Sequence, residues 1–143
     1  MKRSLLVIAF GIGFLIVVTW VGTVLVDAIP RRPTAQLQVI QVGPYQISLQ
    51  VEPNPPPITQ LATLSIQVLE IKTQQPIMNA HVSAEMVMET MDMITDRIEA
   101  TAQDNGVYTI PMQFTMSGPW QVRVHVVVTG AKTQSAVFEV TAQ

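Results

Sequence analysis

The sequence contains no cysteine. Disulfides and thiolate metal sites are therefore excluded, although the absence says nothing about compartment. Charge is also scarce: 13% of residues are charged against 48% hydrophobic, a balance too apolar for an ordinary soluble domain of 143 residues. The deficit is concentrated, since Leu5 to Val26 carries no charge at all. Those 22 residues make about 33 Å of helix at roughly 1.5 Å per residue, enough for a hydrocarbon core of about 30 Å. The stretch reads as one transmembrane helix. A cleaved signal peptide is the competing reading, because Val26 and Ala28 stand at small-x-small spacing; its apolar core would normally be about 7–15 residues, shorter than this run.

Lys2 and Arg3 precede the span and Arg31 and Arg32 follow it, so the flanking basic residues balance. Asp27 on the far side and the free amino terminus favour a cytoplasmic N-terminus, with the rest of the chain periplasmic or extracellular. Within the span, Ala9 and Gly13 form a small-xxx-small pair that lets a second helix approach closely. The segment IPRRPTA then gives a short stiff tether. The expected organisation is an anchor over residues 1–29, a tether over 30–36 and one domain over 37–143.

Helical periodicity is missing beyond residue 30, and a period of two replaces it. Leu37 and Val39 alternate with their neighbours, and Tyr45, Ile47, Leu49 and Val51 share a face. Pro53 to Pro57 forces an extended connection. Ala62, Leu64, Ile66 and Val68 share the next face, followed by Val82, Ala84, Met86 and Met88. ITDRIEATAQ is a weaker strand, and Asp104-Asn105-Gly106 signals a hairpin. Tyr108, Ile110, Met112, Phe114 and Met116 share a face, with Pro111 opposite, where it requires a free edge or a bulge. Trp120, Val122, Val124, Val126 and Val128 give the cleanest alternation, and SAVFEVTA ends the chain. Seven or eight short strands at about 8–12-residue spacing argue for an all-β, immunoglobulin-like β-sandwich, with Trp120 replacing the usual inter-sheet disulfide in the core.

Several function classes are poorly supported. From residue 34 onward Lys72, Arg97, Arg123 and Lys132 face nine acidic residues, a net charge of −5 that disfavours nucleic acid and anionic lipid. There is no serine elbow, phosphate loop or HExxH motif, so neither an enzyme nor a small-molecule substrate is expected. His81 and His125 fall on the polar parity of their strands and read as solvated positions, able to meet only if those strands are neighbours.

Methionine is the unusual presence. Every methionine except Met1 lies between Met78 and Trp120. Parity makes Met86 and Met112 core residues, where methionine fills irregular gaps. Met88, Met91 and Met93 surround one loop, and Met116 ends the strand that follows. Thioether sulfur is a soft donor suited to Cu(I), so these four form a candidate metal set. Met91 and Met93 equally form a hydrophobic docking surface for a protein partner.

The order of features resembles the YtkA-like domain, which is also similar to the extracytoplasmic part of FixH proteins. The resemblance covers about residues 43–141, and its most specific piece is Gly106, Tyr108, Gly118, Trp120, Val122 and Val124. It implies an immunoglobulin-like sandwich outside the membrane, in a family linked to copper handling and to assembly of membrane oxidases. The family's methionine-rich stretch matches Met86, Met88, Met91 and Met93, but the histidine that copper-binding relatives carry beside it has no counterpart between His81 and His125. The expectation is a non-catalytic, membrane-anchored accessory subunit or assembly factor of a larger respiratory or photosynthetic membrane complex. It would need no cofactor, and Ala9, Gly13, Met91 and Met93 would meet the partner. The alternative is a Cu(I) carrier using Met88, Met91, Met93 and Met116.

Overall fold

Alternation at a period of two selects a pleated backbone, because only a strand sends successive side chains to opposite faces. The computed structural model describes residues 34–143 except 89, 90 and 92, together with Gly11, Gly13 and Thr19. Those three are helical and exposed; the rest of the expected span, including Ala9, lies outside the described residues. Among the described residues no helix is long and apolar enough to cross a membrane.

Ten strands follow: β1 (Leu37–Val42), β2 (Tyr45–Glu52), β3 (Leu61–Glu70), β4 (Ala80–Met88), β5 (Met93–Ile94), β6 (Ile98–Glu99), β7 (Thr101–Ala102), β8 (Val107–Gln113), β9 (Gly118–Val128) and β10 (Gln134–Ala142). They form two antiparallel sheets, one ordered β1-β2-β3-β8-β7 and the other β10-β9-β4-β5, with β6 also on β4. This is an all-β sandwich of the immunoglobulin-like kind. The weak strand expected over ITDRIEATAQ is instead three two-residue pieces. Ala100 still donates to Val82 O in the second sheet, whereas Thr101 pairs with Thr109 in the first. The segment changes sheets there, which a sustained alternation would not allow.

The inner faces carry the parities read from sequence. Ile47, Leu64, Ile66 and Ile110 of the first sheet and Val122, Val124, Val126 and Phe138 of the second are fully buried. Trp120 is buried as well, and Phe114 meets its ring edge-on at 5.8 Å and 78°, a geometry that adds about 0.5–1.5 kcal/mol to burial alone. β1 is reversed relative to a simple inward reading of its apolar residues. Leu37 and Val39 are about half exposed, at 57% and 49%, while Ile40 and Val42 pack against the core.

Two strands that lack a full-length neighbour on one side, β10 and β8, are shielded. On β10 the Gln38 amide accepts from Glu139 N and donates to Glu139 O, and Thr141 N donates to Thr34 Oγ1. Ile58 N and Pro56 O bond Gln143, closing the same end. On β8, Val107 O accepts from Gln103 N on the β7 side. Antiparallel alternation then turns Pro111 to that same side, so its missing N–H falls on the stretch of edge that β7 does not reach. The proline rule applied to the sequence is met here.

The outer faces differ in kind. Across the first sheet the rows Leu37–Gln50–Ser65–Thr109–Thr101 and Val39–Ser48–Gln67–Val107 hold amides, hydroxyls and aliphatic groups. Glu52, at the end of β2, is the one charge on this parity. The second sheet carries the charged residues described below.

Tyr108, at 1% exposure, joins the layers by its hydroxyl, which donates to Ile77 O at 2.6 Å and accepts from Ala80 N at 3.0 Å. Gly106, two residues earlier, has φ +75°, and a Cβ there would lie 2.8 Å from Pro76 Cβ and 2.9 Å from Met78 Sδ. Substituting Tyr108→Phe strands a partly buried carbonyl and amide while keeping the ring. It is expected to cost about 1–3 kcal/mol, measured as a lower urea midpoint with an unchanged slope.

Candidate functional site

Trp120 organises the methionine-bearing end of the sandwich. Its indole is too large to bury without its N–H finding an acceptor, and Nε1 donates to Met116 O at 2.9 Å. That bond holds the loop between β8 and β9. Register then places Met88 opposite Trp120 on one side and opposite Met93 on the other. Gly118, at φ +130°, takes a backbone conformation that side-chain-bearing residues rarely adopt, and a Cβ there would only touch the Met88 methyl, at 3.4 Å.

Of the methionines proposed as metal donors, Met88 is buried at 5% and Met116 is half-buried against the core. Met91 is turned outward at 56% exposure, its amide bonded to Met88 O at 3.3 Å. Met93 pairs with Met88 in β5; its side chain, like residues 89, 90 and 92, lies outside the described residues. Met86 and Met112 are buried, as their parity requires. The four are thus brought to one end of the fold by backbone register. No histidine joins them: His125 lies five residues along β9 from Trp120, about 17 Å away at roughly 3.4 Å per residue. Among the described residues, no trio of histidine, aspartate or glutamate is placed to hold a metal ion.

Thr34 is held at this same end. Thr34 accepts from Thr141 N through its hydroxyl and from Asn54 Nδ2 through its carbonyl. Thr141 is the register partner of Pro119, beside Trp120. Of the residues expected to meet a partner, Met91 is exposed at the end where Thr34 is held, and Gly13 is helical and exposed.

A second cluster, on the outer face of the second sheet, was not foreseen as a unit. Glu85 and Arg123 are direct cross-strand partners, and Arg123 Nη1 donates to Glu85 Oε1 at 3.0 Å. His125 Nε2 lies 3.4 Å from the same oxygen, and Arg97 Nη2 lies 3.6 Å from Oε2. His125 Nδ1 meets Ser135 Oγ at 2.8 Å. His125 is therefore not the solvated residue its parity suggested, with its side chain 13% exposed, whereas that of His81 is 86% exposed beside Glu99. The contacts of Nε2 are exclusive. With a proton it donates to Glu85; without one it accepts from Arg97 Nη2, 3.3 Å away. Outward parity was the available signal for these residues, but their pairing required the register of β4, β9 and β10.

A family model described as YtkA-like matches residues 41–125. No curated protein and no solved structure gives a match.

Burial alone would push the Glu85 carboxyl up, but hydrogen bonds from His125 and Arg123, with the charges of His125 and Arg97, hold it below the ordinary carboxylate value. A lowered folded-state value means that ionised Glu85 stabilises the fold. The contribution is complete above the unfolded-state value and is lost as pH falls through the depressed one. Unfolding midpoints measured from pH 7 down to about 3 are expected to decline less steeply in Glu85→Gln than in the native protein over that acid window. Equal slopes would show that Glu85 does not contribute.

Proposed function

The chain belongs to the YtkA-like family, and on that premise we propose that it is a non-catalytic, membrane-anchored accessory subunit or assembly factor of a larger membrane complex, respiratory or photosynthetic, acting outside the cytoplasm. The observation that carries this reading is the exposure of Met91 and Ile94, at 56% and 65%, around the β4–β5 turn. Both are apolar side chains held at the end where Thr34 is pinned. Methionine suits such a surface because its unbranched thioether adapts to an irregular partner. Eight residues lead from Val26 to Thr34, a reach of at most about 28 Å. An anchored domain would thus keep its tethered end close to the bilayer, where the extracytoplasmic surface of an integral membrane protein is available. Ala9 and Gly13 would let the anchor helix pack on a neighbouring span.

The second reading is a Cu(I) carrier, favoured by the register that brings Met88, Met93 and Met116 to one end. The donor set fits soft thioether coordination. Met91 would complete it, and copper bound there would be cargo for delivery. The burial of Met88 among core residues and the distance to His125 weigh toward docking.

Gentle detergent extraction of tagged full-length protein, with mass spectrometry and metal analysis of the same peak, separates the two. The accessory reading expects large membrane subunits in stoichiometric amounts, surviving chelators, with no copper assignable to this chain. Met91→Leu keeps the apolar volume and is expected to retain the complex. Met91→Glu places a carboxylate in the contact and is expected to weaken it at least about tenfold. A lone protein carrying about one copper, lost on changing Met91 and Met93 to leucine, would reverse the order.

A further inference from the structure

We infer that the outer face of the first sheet is a self-pairing surface on which a second copy of this chain docks face to face. The inference goes beyond the accessory role and involves a different part of the domain. Its centre is formed by Gln46, Ser48, Gln50, Ser65, Gln67 and Thr109, all partly buried and none charged. A glutamine amide both donates and accepts, and a hydroxyl does the same, so rows of these groups are complementary to themselves under a two-fold axis. Leu37, Val39 and Leu61, exposed at 57%, 49% and 65%, supply apolar contact on the same face.

Charge selects this face over the other. With a net charge of −5 from residue 34 onward, two copies repel at long range. On the second sheet, Glu85, Arg97, Arg123 and His125 already satisfy one another, and covering them would remove their hydration for no new partner. Two of the edges are also unfavourable. Gln38 and Thr34 occupy the backbone of β10, and Pro111 interrupts β8. Area is sufficient: five strands about 4.8 Å apart and about seven residues of roughly 3.4 Å give a face near 570 Å². Two such faces reach the roughly 1,000 Å² of total burial that a specific interface must clear.

The chain lacks cysteine, so a single introduced thiol reports contact without background. Full-length Ser65→Cys, on the central strand β3, and Ser48→Cys, on β2, are oxidised mildly in isolated membranes. Val127→Cys, on the opposite sheet, is the control. Covalent homodimer is expected from Ser65→Cys or Ser48→Cys at about tenfold or more over the control. It should fall to the control level when Gln67→Glu places like charges across the axis, and rise between about 20 and about 300 mM salt as repulsion between acidic copies is screened. Equal dimer from Val127→Cys, no dimer from either serine position, indifference to Gln67→Glu, or cross-linking to a different protein would each overturn the proposal. None of these readouts depends on whether a large membrane partner co-purifies, so failure here is distinct from failure of the accessory reading.

Discussion

The indole of Trp120 is the contact on which one end of this domain depends. A side chain of that size stabilises the interior only if its N–H is satisfied, and the acceptor is Met116 O. That bond fixes the β8–β9 loop, while Phe114 meets the ring edge-on. Trp120 pairs with Met88, the last residue of β4, and with Val140 near the end of β10. The positive φ of Gly118 accounts physically for a glycine two residues before the tryptophan. Gly106 and Tyr108 have the corresponding role across the sandwich, where a Cβ at Gly106 would meet Pro76 and Met78.

From this packing comes a division of chemistry among three surfaces. The end that holds Thr34 presents exposed thioether and aliphatic groups around Met91 and Ile94. The outer face of the first sheet is polar but uncharged apart from Glu52. The second sheet gathers Glu85, Arg97, Arg123, His125 and Ser135 into one connected network. An end that adapts, a face that is self-complementary and a face already internally paired suit different contacts. The accessory reading uses the first and the self-pairing inference uses the second. The network on the third contributes stability that depends on ionised Glu85.

Much of the sandwich was legible in residue order because strand parity is local. Any run such as Trp120, Val122, Val124 and Val126 must turn one face inward wherever its strand is placed. Outside β1, whose Leu37 and Val39 face outward, the buried set therefore follows the apolar parities, including Met86 and Met112. Pro111 marked an incompletely paired edge for a similarly local reason, since its missing donor travels with the residue. The ITDRIEATAQ segment was legible only as a weak strand. Its sheet change depends on which carbonyls receive Ala100 N and which residue faces Thr101.

By itself, then, the sequence determined the all-β class, the inward residues of the long strands other than β1 and the concentration of methionine between Met78 and Trp120. Those properties follow from side chains and a two-residue period. Tertiary structure alone decided the partners. Glu85, His125 and Ser135 lie on β4, β9 and β10, and only the registers of those strands bring a carboxylate, an imidazole and a hydroxyl together. Register likewise turned scattered glutamines and serines into an uncharged face, and placed Thr34 at the same end as Met88. Such contacts between distant residues are selected by the packing of both sheets at once, and no local pattern carries them.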